Sequence, residues 1–205
     1  MGRSQSFDTT TVVQAARDVF WDQGLEGASL PDLERATGLN RSSLYHAFGS
    51  KRGLFDAAVD DYLDAVIRPR LRVLVTAAQE GATPPEAGAA VVTYFDGLAA
   101  AVGQLPADSP RRGCLLVDCA TGPAGHDEAL RAVVDAYRAE LTDALSGALR
   151  AATPALADEV VAQRARMLLS LLLGALALAR VNQDEATAML RTARDQADEW
   201  VSRDA

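Results

Sequence analysis

Chemistry that needs a nucleophile, a base or a metal has few places to sit in this chain of 205 residues, which holds two histidines, His46 and His126, and two cysteines, Cys114 and Cys119. Ser146 and Ser170 have no histidine at a spacing that suggests a base. Cys114, Cys119 and His126 match no standard zinc pattern, and a fourth ligand would have to come from elsewhere. The glycines at 97, 103 and 113 do not make a phosphate loop. With no nucleophile–base pair and no carboxylate constellation, the residues predict no enzyme, no cofactor and no metal site. One run does suit a different chemistry. Arg41, Ser42, Ser43, Tyr45 and His46, followed by Lys51 and Arg52, combine a guanine-reading side chain, hydroxyls and cations that can meet DNA bases and phosphates.

For these residues to act together they must share one face of a rigid element. The flanking sequence supplies it. Ser29, with Asp32 three residues on, starts a short helix whose apolar face is Leu30, Leu33 and Ala36 and which Gly38 ends. Asn40 caps a second, Arg41 to Phe48, stopped by Gly49. Two short helices joined across Gly38, Leu39 and Asn40 are a helix-turn-helix, covering about residues 30–49, and the first residues of its second helix face base edges. Leu44 and Phe48 lie opposite and belong to a core.

Charge agrees with this placement once it is read locally. The whole chain carries 20 basic and 28 acidic residues, a net −8. Residues 1–55 hold six of each (Arg3, Arg17, Arg35, Arg41, Lys51, Arg52 against Asp8, Asp18, Asp22, Glu26, Asp32, Glu34), so the entire excess lies downstream. No acid falls between Arg35 and Arg52. Local sign decides whether a phosphate backbone can approach.

Elsewhere every pattern is helical. Val12, Val13, Ala16, Val19 and Phe20 form one stripe, with Gly24 as a stop. Ser50 caps a helix with the stripe Leu54, Phe55, Ala58, Val59, Tyr62, Leu63 and Val66, which Pro69 should kink or end near Arg68. A helix is expected from about Glu86 to Val102, then a loop from Leu105 to Gly113 and a short apolar segment from Cys114 to Thr121, ended by Gly122 and Pro123. Leu130 to Leu149 is one long face. Pro154 opens a helix carrying the apolar run Met167 to Ala179, and a last helix covers about Asp184 to Val201. That run spans 13 residues, short of the ~20 a membrane helix needs, so no membrane span is expected. With no leader pattern before the fold and only two cysteines, the expected compartment is a reducing cytoplasm.

The string Ala36 to Phe55, ATGLNRSSLYHAFGSKRGLF, resembles the N-terminal domain of TetR/AcrR-type transcriptional regulators, a likeness that covers residues 8–60. The resemblance implies an all-α fold: an N-terminal three-helix helix-turn-helix DNA-binding domain, residues 1–52, followed by a helical-bundle ligand-binding and dimerisation domain, residues 53–205. It makes Ser29 a phosphate contact, Arg41, Ser42, Ser43 and His46 the DNA-facing part of the recognition helix, and Tyr45 and Lys51 backbone clamps. Ser42 and Ala47 depart from that pattern, which often has glycine at the first position and an aromatic or histidine at the second. The implied function is a repressor released from palindromic, double-stranded operator DNA by a small-molecule inducer of unknown identity. A homodimer should form through the last two helices, with Leu172, Leu176, Met189, Ala193 and Trp200 at the interface. A second, looser similarity lies at Arg112 to Ala120, where one TetR subgroup has a Gly-Cys-Leu-Leu segment and some members sense electrophiles or oxidants. It makes a thiol-sensing repressor acting through Cys114 the alternative.

Overall fold

The computed structural model describes residues 7–79, 81–106, 108–122 and 126–204, and the described residues are helical without a strand. Helix α1 runs Thr9–Gly27, α2 Leu30–Thr37 and α3 Arg41–Phe48. Helix α4, Lys51–Tyr62, passes through a π-helical turn, Leu63–Ile67, into α5, Arg68–Ala77. The rest is α6 (Pro84–Gly103), α7 (Leu115–Thr121), α8 (Glu128–Ala152), α9 (Asp158–Leu178) and α10 (Gln183–Asp204). Pro123 lies outside the described residues.

The first four helices form because their apolar faces and caps agree. Ser29, Asn40 and Ser50 are the N-caps of α2, α3 and α4, each accepting from the backbone N–H three residues on, at 3.2, 2.9 and 3.0 Å. Each such cap contributes about 1 kcal/mol. Gly38 closes α2 in the left-handed conformation, φ 70°. Gly24, also at φ 70°, breaks the path of α1 one turn before its end. Helix α4 lies against α1 through two edge-to-face pairs, Phe20 on Phe55 at 5.1 Å and Trp21 on Tyr62 at 4.8 Å.

Pro69 does not end the helix, which continues through the π turn into α5. The irregularity comes a turn earlier, where the Arg68 N–H reaches back to the Leu63 carbonyl across the π turn. Pro154 does not open α9 either. The helix begins at Asp158, and Pro154 is exposed in the turn before it.

Helix α6 is the axis of the larger domain, with α5, α8 and α10 packed around it. Val91, Phe95, Leu115, Leu145, Leu168 and Leu190 are fully buried there. The apolar run belongs to a 21-residue helix long and apolar enough to cross a membrane by length and composition alone. Its inner face, Val161, Ala165, Leu168, Leu172 and Ala175, is packed in the core.

This packing corrects the expected interface. Leu172, Leu176, Ala193 and Trp200 are buried inside one chain, and Met189 is half-buried with its methyl over Gly174. The four buried ones help hold the protomer together. Helix α9 is apolar on nearly every side, so periodicity could not separate its inward stripe from its outward one. Its outward residues are Met167 and Leu178, and Val181 in the turn that follows is 83% exposed.

Candidate nucleic-acid interface

Leu33 of α2 and Leu44 of α3 are buried, with Leu39 of the connecting turn half-buried against the same core. The two helices are thus fixed to each other and, through α1 and α4, to a rigid base. Their polar faces are left outward. Arg41, Ser42 and His46 are exposed, and Ser43, Tyr45 and Lys51 are half-buried. Arg41, Ser42 and Ser43 fill the first turn of α3, and Tyr45 and His46 follow on the second.

Arg41 is pre-positioned: its guanidinium lies over the Tyr45 ring, 5.2 Å from the centroid, an arrangement worth about 0.5–1 kcal/mol at an exposed site. Its backbone N–H donates to the Glu34 carboxylate at 2.5 Å, so a residue of α2 completes the start of α3. Periodicity gave no sign of Glu34, because the contact spans a turn. Lys51 reaches only the Glu26 carbonyl oxygen, at 3.5 Å. Among the described residues neither Arg41 nor Lys51 forms an ion pair, and both charges remain available for phosphate or base. Ser29 is occupied locally: its hydroxyl donates to Asp32, and this bond, with Arg35 beside it, holds the Asp32 carboxyl below its usual value.

Arg52, neighbour of Lys51, serves a different end. It pairs with Asp56 at 2.7 Å and with Asp127, the N-cap of α8. Asp127 is held below its ordinary value chiefly by that bond. Arg17 pairs with Asp61 at 2.7 Å inside the α1–α4 contact. Arg111 reaches Asp18 at 2.7 Å, and Arg180 bonds the Trp21 carbonyl while pairing with Asp22 at 3.4 Å and Asp118 at 3.3 Å. The helix-turn-helix is therefore tied to the bundle by arginines from several segments. Gly53 was also missed. A Cβ there would sit 2.1 Å from the Phe48 carbonyl oxygen, so α3 and α4 meet this closely only over a glycine.

The thiols have no activating surroundings. Cys114 is fully buried, 3.7 Å from the Tyr137 hydroxyl. Arg111 and Arg112, its neighbours in sequence, are bonded to Asp18 and Gln183. Burial, with the Asp118 carboxylate nearby, pushes the Cys119 thiol up to about 12. These are conditions for an inert thiol. Among the described residues no three His, Cys, Asp or Glu side chains come together as a metal site.

Known proteins carry the same arrangement. Residues 12–58 match the family described as bacterial regulatory proteins, tetR family, and residues 87–196 match the LmrA/YxaF-like transcriptional regulator C-terminal domain. The HTH-type transcriptional regulator YezE of Bacillus subtilis is 33% identical over 155 residues, 74% of this chain and 73% of its own length. The HTH-type transcriptional repressor ComR of Escherichia coli is 43% identical over 63 residues, covering 31% of this chain and 30% of its own. Among solved structures, a cysteine mutant of the TetR-family regulator CifR, complexed with 26-bp double-strand operator DNA, superposes with a TM-score of 0.77 at 31% identity. That match covers 94% of this chain and 98% of that one.

Proposed function

This chain belongs to the TetR family of bacterial transcriptional regulators, and from that premise we infer that it is a homodimeric repressor lifted from a palindromic operator by a small-molecule inducer. One observation carries the reading: a capped α3, fixed on a rigid base, presents Arg41 outward with Lys51 at the start of the next helix, and neither charge is paired among the described residues. Arg41 reads a base edge, Ser42, Ser43 and His46 contact bases or phosphates, and Ser29, Tyr45 and Lys51 hold the backbone. Two such faces must reach successive major grooves about 34 Å apart, which requires two copies and a two-fold operator. The outward residues of α9, Met167 and Leu178, with Val181 in the turn after it, form the apolar surface we assign to the second copy.

An inducer acts by binding more tightly to the form that cannot span both grooves. The arginine ties between α1, α4 and the bundle are the mechanical link for such a shift. Regulation without catalysis, in the cytoplasm, completes the proposal. The division at residues 52/53 places the boundary within the first turn of α4, so that this helix serves both domains. The thiol-sensing alternative lacks support, because Cys114 is enclosed and has no cation beside it.

The experiment is selection of randomised duplexes on the full-length protein, followed by gel shift with wild type and Arg41→Ala. Enrichment of an inverted repeat with half-sites one helical turn apart is the expected result. Sequence-independent binding, or enrichment of a single unrepeated half-site, would overturn the two-fold reading.

A further inference from the structure

Between α1, α5, α6 and α9, beside Leu105 and Gly113, lies a cleft of about 200 Å³, lined by Trp21, Arg70, Leu98, Val102, Arg111 and Leu176. A constriction of about 20 Å³, sharing Arg70, Leu98 and Leu176 with the cleft, leads inward to Tyr62, Tyr94 and Tyr137. Most of this wall is apolar. The charged side chains on it, Arg70 and Arg111, are both cations.

Arg70 is exposed, and among the described residues it makes no ion pair and no hydrogen bond. Its charge lies close enough to Tyr62 and Tyr94 to favour their ionised forms, although burial dominates and pushes both hydroxyls up. Trp21 is 4% exposed, and its indole N–H has no acceptor. A buried donor without a partner is costly, and a partner brought by a ligand recovers that cost. Arg111 is compensated by Asp18 at 2.7 Å, which leaves Arg70 as the uncompensated cation. No carboxylate is among the residues lining the cleft.

We propose that this cleft binds a small apolar molecule bearing one carboxylate. The carboxylate sits on Arg70, the Trp21 indole N–H supplies a further donor, and the apolar body lies against Leu98, Val102 and Leu176. The volume falls below the ~300–1,000 Å³ of most ligand sites, which limits the occupant to a single ring or a short chain. Trp21 stands on α1 of the DNA-binding domain and Arg70 on α5 of the bundle, so one ligand would touch both. This assignment rests on the ligand-released repressor proposed above and names the class of its inducer.

The test uses the full-length chain labelled with ¹⁵N-tryptophan, whose two residues, Trp21 and Trp200, give two indole N–H signals. Benzoate, phenylacetate and hexanoate are titrated beside benzamide, phenylacetamide and hexanamide. At least one acid should move the Trp21 signal and leave Trp200 in place, with its matched amide binding at least tenfold more weakly. Arg70→Gln should abolish that preference and Arg70→Lys keep part of it, with the fold checked by circular dichroism. Equal binding of acid and amide, an unchanged preference in Arg70→Gln, or a Trp21 signal unmoved at millimolar acid would each overturn the site. Operator release is read separately by gel shift. An acid that binds through Arg70 yet releases no DNA keeps the site and removes its role as inducer pocket.

Discussion

Replacing Gly53 by alanine should destabilise this protein, although alanine is the better helix former by about 1 kcal/mol. Gly53 sits in the first turn of α4, where its N–H is capped by Ser50. A Cβ built there falls 2.1 Å from the Phe48 carbonyl oxygen and 3.3 Å from its carbon. Even a close carbon–oxygen contact is about 3.3 Å, so α3 and α4 must separate by about 1 Å. Backbone, not a flexible side chain, has to move, which puts the overpacking cost near the top of the usual ~1–3 kcal/mol. Less the gain in propensity, the net loss is about 2 kcal/mol. Gly97 provides the control. It is exposed in α6, and a Cβ there meets nothing within 4 Å, so the same substitution should stabilise by about 1 kcal/mol. Urea unfolding of the two variants should therefore move in opposite directions. Because α3 is displaced only in Gly53→Ala, operator affinity should fall in that variant and hold in Gly97→Ala. Two shifts of the same sign would refute the steric argument.

Arg41→Ala should cost about 1–3 kcal/mol of specific binding and relax preference at one base pair per half-site; equal losses on random duplex would reassign Arg41 to the phosphates. Lys51→Ala should weaken binding to all sequences and reduce the salt slope by about one, and an unchanged slope would count against a phosphate role. Leu172→Asp places a charge inside one chain and should lower stability by more than about 3 kcal/mol. Met167→Asp should leave the chain folded and sediment as a monomer; a dimer that survives it moves the contact off α9. Asp8, Asp32, Asp127 and Asp204 are held below the ordinary 3.8 by hydrogen bonds and, for the last three, by arginines. Lowered folded values mean stabilisation that is present above 3.8 and lost as pH falls through them. The urea midpoint should thus drop below about pH 4, less steeply in Asp127→Asn, which keeps a capping acceptor without the charge.

The helix-turn-helix was legible because its determinants are local. Ser29, Asn40 and Ser50 cap helices that begin one residue later, and Gly38 must adopt a left-handed turn wherever the chain goes next. What escaped was set by contacts between distant residues. Arg52 reads as a DNA-facing cation beside Lys51 until Asp127, 75 residues on, takes it into the interdomain contact. Glu34 capping α3 and Gly53 under Phe48 are likewise products of the turn between helices. The faces of α9 posed a different difficulty. In a helix with Leu168, Leu171, Leu172, Leu173, Leu176 and Leu178, hydropathy has no contrast from which to read a direction.

The π turn at Leu63–Ile67 acts as a phase shifter. In a regular helix each residue advances the surface by 100°, whereas a π turn takes up one extra residue without a matching advance. Upstream, Phe55, Val59 and Tyr62 look toward α1; downstream, Leu71 and Leu74 are buried among α6 and α8. One continuous rod thereby presents its apolar side to two partners lying at different azimuths. Chain length here is consequently information in its own right. Removing a single exposed residue such as Ala65 would let the turn close into a regular α-helix with Arg70 and the later α5 side chains still facing the walls they complete, whereas the same deletion in a regular turn would swing them by about 100°.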